Sequence, residues 1–195
     1  MGIYIDIHTH NPQADHPTPT SAGIHPWHAA SEPLDEAAMH SADLIGEIGL
    51  DYACNVDRAL QEQIFRQQLS LAERLHKPVV VHCVRAFEPM MKILSEYQLR
   101  AVIFHGFIGS LQQAEQAIKE GYYLSFGEGA FRSPRTIETL RTIPLSRLFA
   151  ETDESPICIE KIYEMVAAER KIEVAELQAQ IENNYNEIFL QHNDR

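Results

Sequence analysis

Imidazole and carboxylate side chains stand at the ends of five short apolar runs in this sequence. They are His8 and His10, Glu47, His82, His105 and Asp153. Because side chains at positions i and i+2 of a strand point the same way, His8 and His10 can converge on one ion. Burying such groups without a metal or other partners would cost several kcal/mol. As a set, these residues predict a metal centre.

The composition of this set constrains the chemistry. Four imidazoles and two carboxylates suit zinc, manganese, iron or nickel, whereas magnesium prefers mostly oxygen ligands. Six ligands are too many for one ion that keeps a position for water, but they suit two ions about 3.5–4 Å apart that share a carboxylate. Two metals indicate hydrolysis of phosphodiesters, phosphotriesters or cyclic amides. Asp153 is then the natural general base.

The elements that must position these ligands alternate between strand and helix. About seven apolar runs predict strands, at residues 3–7, 21–24, 43–48, 78–81, 101–104, 122–126 and 147–150. Helical spacing predicts helices over 58–76, 87–97, 111–120 and 172–191. This alternation indicates a parallel sheet. A closed barrel gathers the carboxyl ends of its strands on one face, so we predict a β/α barrel rather than an open sheet.

The composition is that of one globular domain. The chain has 195 residues, 45% of them apolar and 23% charged, and no linker divides it, so we expect a single domain over 1–195.

Three widely spaced cysteines and the lack of a signal peptide or a long apolar run predict a cytoplasmic protein without membrane contact. We interpret Cys83 as a packed thiol rather than a nucleophile. The net charge of −12 argues against wrapping duplex DNA by bulk electrostatics.

Several motifs together resemble those of one known family. They are Ile5-Asp6-Ile7-His8-Thr9-His10, Ala22-Gly23-Ile24-His25-Pro26-Trp27, the segment 45–52, Pro78-Val79-Val80-Val81-His82, Ile103-Phe104-His105-Gly106-Phe107 and the segment 151–156. This set resembles the TatD family of metal-dependent deoxyribonucleases. The helical stretches 61–78 and 183–189 are also similar to the family, so the resemblance covers nearly the whole chain. Its most specific motif is Gly-Glu-Ile-Gly-Leu-Asp-Tyr at residues 46–52.

The resemblance implies a TIM-barrel hydrolase of the amidohydrolase superfamily. Such an enzyme would cleave DNA, as single strands or at 3′ ends, as a 3′–5′ exonuclease, with two divalent ions of magnesium, manganese or zinc and no obligate protein partner. Carried over residue by residue, one ion would be held by His8, His10, Asp153 and Glu47. The other would be held by Glu47, His82 and His105. Glu47 would then bridge the two ions, and Glu47 and Asp153 would be the catalytic carboxylates.

Three further residues are candidates for substrate binding. His25 would contact a phosphate or the transition state, although capping a turn is an alternative role for it. Trp27 could stack on a base. Arg85 could pair with a phosphate, but here Cys83-Val84-Arg85 replaces the family's usual Ser-Arg-Asp after the third ligand strand. The residues after His105 also depart from the family pattern, which changes the predicted pocket wall.

The spacing between His10 and Gly23 is too short for the helix and strand that the family places there. We therefore expect a shortened TIM-barrel-like fold with one βα unit missing. It would have about seven strands instead of the usual eight.

Three functions remain open from the sequence. The ligand set and the motifs favour a nuclease. The charge of −12 and the altered pocket wall favour a small-molecule amidohydrolase or phosphoesterase that uses the same binuclear site. A carboxylated lysine that bridges the two ions would support that class, but this chain has Glu47 at the bridging position. The third possibility is a binding or scaffold protein whose metal site no longer turns over.

Overall fold

The computed structural model describes residues 2–190. It separates into two compact units, which we call the middle unit, Pro19–Phe104, and the terminal unit, residues 2–18 with 105–190. The prediction that 1–195 is one domain stays a prediction.

The middle unit is built on four parallel strands in chain order. They are β1 (Ser21–Ala22), β2 (Leu44–Asp51), β3 (Val79–Val84) and β4 (Val102–Phe104). Three helices connect them: α1 (Glu36–Ser41), α2 (Arg58–Leu75) and α3 (Phe87–Leu94). The run Val79-Val80-Val81 is fully buried, as expected for a parallel strand that is covered on both faces.

Helix α2 supplies the unit with an apolar stripe and two buried amides. Asp57 caps its first turn by accepting a hydrogen bond from the Leu60 amide (2.9 Å), and Phe65 and Leu69 are buried at helical spacing. Gln68 accepts from the Ile24 amide at 2.6 Å and donates to the Ile24 carbonyl at 3.2 Å. Gln61 makes the same pair of bonds with the backbone of Asp51, at 2.8 and 2.9 Å. The helix thus holds the chain at two points next to candidate site residues.

The terminal unit has two parallel strands, β5 (Tyr123–Phe126) and β6 (Leu148–Ala150). Its helices are α4 (Leu111–Lys119), α5 (Pro134–Thr142), α6 (Ile159–Arg170) and α7 (Val174–Phe189). A capping box of Ser110 and Gln113 starts α4. The predicted last helix matches α7, and Gln191 lies outside the described residues.

The run 3–7 forms neither a strand nor a helix. The buried Tyr163 hydroxyl accepts from the Ile5 amide and donates to the Ile5 carbonyl, both at 3.0 Å, so these groups are not available for strand pairing. The segment is still tethered to β6, because the Ile7 amide donates to the Ala150 carbonyl at 3.2 Å. The described residues therefore contain six strands rather than about seven.

Residues 11–20 contain neither a helix nor a strand, as the short spacing between His10 and Gly23 predicted. Among residues 2–190, no helix combines the length and the apolar character needed to cross a bilayer.

Candidate metal centre

In the middle unit, two imidazoles flank one carboxylate. His25, after β1, and His82, in β3, each place a ring nitrogen 3.5 Å from Glu47 Oε2, which lies on β2. Potential ligand atoms of all three lie within 4.8 Å of one another. Imidazole nitrogens and carboxylate oxygens are the donors that zinc and manganese accept. This group, which we call the middle ligand group, fits a divalent cation.

A glycine makes the approach of β2 to His82 possible. Gly49 pairs with His82 in the sheet register and has φ +144°, a conformation that L-residues rarely adopt. A Cβ there would lie 2.2 Å from the His82 carbonyl oxygen. The second glycine of the Gly-Glu-Ile-Gly-Leu-Asp-Tyr motif therefore has a steric role next to a candidate ligand.

The other ring nitrogen of His82 faces a second carboxylate, that of Asp51. His82 Nε2 lies 3.5 Å from Asp51 Oδ2, and Asp51 is only 4% exposed. Asp51 Oδ2 also accepts a hydrogen bond from the indole N–H of Trp27 at 2.6 Å, and Oδ1 accepts from the Ala53 amide at 2.8 Å. Burial by itself would raise the pKa of Asp51. The bonds from Trp27 and Ala53 and the neighbouring His82 outweigh it, so the pKa is lowered overall.

In the terminal unit, His8, His10 and Asp153 form the terminal ligand group. The Nε2 atoms of His8 and His10 lie 3.7 and 3.5 Å from Asp153 Oδ1. The backbone enforces this arrangement, because the Asp153 amide donates to the His8 carbonyl (3.0 Å) and the His10 amide donates to the Asp153 carbonyl (3.1 Å). The expected convergence of His8 and His10 is therefore present, with Asp153 between them.

Asp6 supports the same backbone. It is buried and accepts from the Thr152 amide at 3.0 Å and from the Thr152 hydroxyl at 2.6 Å. Burial raises the pKa of Asp6 to about 6, against the bonds from Thr152. These hydrogen bonds hold Thr152 in place, and Thr152 is the residue that separates Glu151 from Asp153 in the chain.

His105 lies close to His8, with ring centroids 4.7 Å apart. Its Nδ1 is 3.5 Å from Glu151 Oε1, which also accepts a hydrogen bond from the Gly106 amide at 2.5 Å. Glu151 is 0% exposed. Burial acts to raise its pKa, but His105, His8 and Ser125 lower it overall. Atoms of His105, Glu151 and Asp153 also lie within 4.8 Å of one another.

The predicted substrate residues have different surroundings. His25 belongs to the middle ligand group. Its Nδ1 also caps a short turn by accepting from the Trp27 amide at 3.2 Å, and contact of His25 with a phosphate stays a prediction. Trp27 is 56% exposed despite its bond to Asp51. Arg85 is exposed just after β3, with φ 52°. Cys83 fits a packed thiol, because burial raises its pKa to about 12.

Each unit thus brings together some of the predicted ligands. The middle unit assembles Glu47 and His82 with His25, which was predicted to bind substrate, and the terminal unit assembles His8, His10, His105 and Asp153. The bridging role of Glu47 stays a prediction. Sequence reasoning assigned no role to Asp51 and Glu151, although both stand within quoted motifs. Their position in the sequence was a usable signal, because each is a carboxylate close to a strand end that carries a candidate ligand, and such carboxylates often orient metal-binding histidines.

Comparisons with known proteins agree with this architecture. A family model described as "TatD related DNase" matches residues 13–190. The chain belongs to this family. The 3′-5′ ssDNA/RNA exonuclease TatD of Erwinia tasmaniensis is 31% identical over 201 residues, which is 87% of this chain and 77% of that protein.

Other relatives are matched over less of their length. A TATDN1 homologue from Encephalitozoon cuniculi is 36% identical over 72% of this chain and 52% of its own length. The uncharacterized metal-dependent hydrolase YabD of Bacillus subtilis is 34% identical over 65% of this chain and 56% of its own length. The chain therefore spans about half the length of several relatives that it matches.

Among solved structures, YJJV, a TatD homologue from Escherichia coli, has a TM-score of 0.79 and 26% identity over 89% of this chain and 77% of that chain. With the parallel strands and helices described above, this likeness confirms the predicted fold class, a TIM-barrel-like α/β fold. A TatD family hydrolase from Entamoeba histolytica has a TM-score of 0.78 at 19% identity, over 90% of this chain and 76% of that chain, and shows the fold alone.

Proposed function

We propose that this protein is a divalent-metal-dependent hydrolase that cleaves phosphodiester bonds of DNA as a 3′–5′ exonuclease. The observation that carries the proposal is the pairing of imidazoles with a carboxylate in each unit, at His8, His10 and Asp153 and at His25, Glu47 and His82. Family membership and the name of the Erwinia tasmaniensis relative support a nucleic acid as the substrate.

The ligand assignment follows the two groups. His8, His10 and Asp153 would hold one ion, and Glu47 and His82 would hold a second. His105 is a further candidate ligand beside His8. Magnesium, manganese and zinc are the candidate ions, and the imidazole content favours the last two. When bound, such ions lower the pKa of a water molecule and stabilise negative charge that develops on phosphate oxygens.

The protein's own residues would do the remaining work. The Asp153 carboxylate is partly exposed and lies between two imidazoles, so it can accept a proton from the attacking water. The Arg85 guanidinium, exposed after β3, can bind a phosphate through paired N–H donors. The exposed indole of Trp27 offers a face for stacking on a terminal base, while its N–H is held by Asp51.

A second candidate function is hydrolysis of a small amide or phosphoester at the same groups. The net charge of −12 favours it, because it reduces the attraction of the surface for a long polyanion. The residues after His105, which depart from the family's usual pattern and alter the predicted pocket wall, also favour it. The name of the Bacillus subtilis relative, a metal-dependent hydrolase, is compatible with either substrate.

The test is degradation of single-stranded DNA labelled at either the 3′ or the 5′ end, with magnesium, manganese or zinc. Asp153→Asn is assayed beside Glu138→Gln, which changes an exposed carboxylate on α5. We expect metal-dependent loss of the 3′ label first, in the wild type and in Glu138→Gln but not in Asp153→Asn. Intact DNA in all metals, together with turnover of small phosphoesters or cyclic amides, would favour the second function.

A further inference from the structure

The terminal unit contains a polar cavity of about 170 Å³ beside the terminal ligand group. We call it the loop cavity. Residues of the loop 11–18 line one wall, residues of the segment 155–160 line the other, and Asp6 and Thr152 complete the lining. A cavity of about 150 Å³ can hold one benzene ring. The loop cavity therefore has room for one ring of that size.

Contacts within the terminal unit hold the two walls together. Nε2 of His16, in the loop, lies 3.1 Å from Oε1 of Glu160, in the first turn of α6. The Asp6 amide donates to the Pro17 carbonyl at 3.1 Å, and the His16 ring packs edge-on against Tyr4, with centroids 6.0 Å apart. The cavity is thus formed before anything binds, which lowers the entropic cost of binding.

The lining is rich in hydrogen-bond acceptors. It includes Asp6, Glu160, Asn11 and Gln13, whose side chains all carry acceptor oxygens. The pKa of Glu160 is lowered, first by the hydrogen bond from its own backbone amide and further by His16, so this carboxylate stays ionised near neutral pH. Among the described residues that line the cavity, none is a lysine or an arginine. The lining therefore disfavours a phosphate and suits an uncharged ring that carries N–H donors.

Thr152 connects the cavity to the terminal ligand group. It lines the cavity and directly precedes Asp153 in the chain. Its hydroxyl oxygen lies 2.8 Å from that of Thr9, the residue between His8 and His10. A ring in the cavity would therefore lie next to the group that we propose acts on the phosphate, as the base of the same nucleotide would.

We propose that the loop cavity binds the base of the nucleotide that is cleaved and prefers a base with an exocyclic amino group, of which cytosine is the single-ring case. The inference rests on the proposed nuclease function and names the part of its substrate that this cavity selects. Cytosine presents an N–H₂ donor where thymine presents a carbonyl oxygen. The amino group can donate to the Glu160 carboxylate, whereas the thymine oxygen would face that carboxylate with no hydrogen between them.

The first measurement uses Cys158 as a reporter, because this thiol is exposed and lines the cavity. The wild-type chain is alkylated with iodoacetamide in the presence of deoxycytidine or thymidine at millimolar concentrations, and peptide mass spectrometry gives the rates. Neither nucleoside has a phosphate, so the readout does not depend on cleavage. Cys54, which belongs to the middle unit, is the internal control.

We expect deoxycytidine to slow the alkylation of Cys158 and not that of Cys54. Its apparent Kd should be lower than that of thymidine by at least about fivefold, the lower limit for one well-formed contact that distinguishes two bases. No protection of Cys158, or equal protection by the two nucleosides, would overturn the proposal.

The second measurement repeats the protection assay on three variants. Glu160→Gln keeps the shape of the side chain but can also donate, so the preference for deoxycytidine should fall towards one. Glu164→Gln changes an exposed carboxylate on the same helix and should keep the wild-type preference. His16→Gln removes the contact between the walls but leaves the Glu160 carboxylate, so the preference should remain. An equal loss of preference in His16→Gln would contradict the role of Glu160.

The same preference should appear in cleavage. We expect kcat/KM to be at least about fivefold higher for single-stranded DNA that ends in a 3′ cytosine than for DNA that ends in a 3′ thymine. Selective protection by deoxycytidine in a protein that leaves DNA intact would retain the cavity site and remove DNA as the substrate. DNA cleavage without protection of Cys158 would do the reverse. If a variant does not fold, the comparison of the two nucleosides on the wild type decides the question.

Discussion

At the scale of single residues, the site combines groups of two kinds. Side chains such as His10 and Asp153 are partly exposed and can reach an ion or a substrate, whereas Asp51 and Glu151 are buried and face the rings of His82 and His105. Metal sites commonly need both kinds, because the outer groups fix the orientation and raise the basicity of the ligands.

Replacing Asp153 with asparagine should remove activity without unfolding the chain. The amide keeps the shape of the carboxylate but cannot take a proton from water, so we expect kcat on single-stranded DNA to fall by about 10²–10⁴-fold. Circular dichroism should show an unchanged fold. Activity within a factor of three of the wild type would exclude Asp153 as the base.

Cys158 and Cys83 should differ in reactivity. Cys158 is exposed, whereas burial raises the pKa of Cys83 to about 12. Below that pKa the Cys83 thiol stays protonated, and the thiolate is the reactive form. Timed alkylation with iodoacetamide at pH 8, followed by peptide mass spectrometry, should modify Cys158 well before Cys83. Equal rates would show that Cys83 is an activated thiol.

At the scale of elements, the positions of the strands were easier to predict from the sequence than the segments with which they pair. Polar residues at strand ends identified the six candidate ligands, because in a parallel α/β fold they have no packing reason to be there. The run 3–7 has the composition of a strand, yet Tyr163, which is distant in sequence, occupies the backbone groups of Ile5. A local sequence pattern carries no information about a contact between residues that are so far apart in the chain. Helices α1, α5 and α6 were not predicted either.

The contacts of Asp51 and Glu151 could not be predicted from the sequence for a related reason. Both residues lie within the motifs, but the sequence does not show that each one faces the ring of a histidine. Ring orientation is set by packing and not by residue spacing.

Helix α2 should stabilise the His25 segment through Gln68. Gln68→Leu leaves the buried amide and carbonyl of Ile24 without their side-chain partner, and such a loss costs about 1–3 kcal/mol. Gln67→Leu, on the exposed face of the same helix, is the matched control and should change stability little. Urea denaturation measures both. Equal midpoints would show that the Gln68 bonds contribute nothing net.

The close approach of β2 to His82 should make Gly49 intolerant of a side chain. Gly49→Ala adds a Cβ at 2.2 Å from the His82 carbonyl and forces φ +144° on an L-residue, so we expect a loss of about 2 kcal/mol or more. Gly121→Ala is the control, since its φ is +84° and no atom lies within 4 Å of the added Cβ. It should lose only about 1 kcal/mol. Similar losses in the two variants would remove the steric argument.

At the scale of the whole molecule, the charge of −12 must be reconciled with a polyanionic substrate. The net charge does not attract DNA to the protein as a whole, so DNA binding would depend on the ions and on a few local donors such as Arg85. Metal should therefore matter to the folded state as well as to activity.

Metal should raise the thermal midpoint of the metal-free protein. An ion that binds only the native state stabilises it by about 2.7 kcal/mol at 100 times its Kd. For a chain of this size, that corresponds to roughly 5–10 °C in Tm. Differential scanning calorimetry with and without manganese or zinc is the measurement. An unchanged Tm would revive the interpretation as a scaffold protein.

The central claim is that two groups of ligands, one in each unit, each hold a divalent ion. The most direct test is the stoichiometry of metal bound by the dialysed protein, measured by inductively coupled plasma mass spectrometry. The wild type, His8→Gln and His82→Gln are compared. We predict two ions in the wild type and one in each variant. No bound ion in the wild type, or full binding in both variants, would contradict the account.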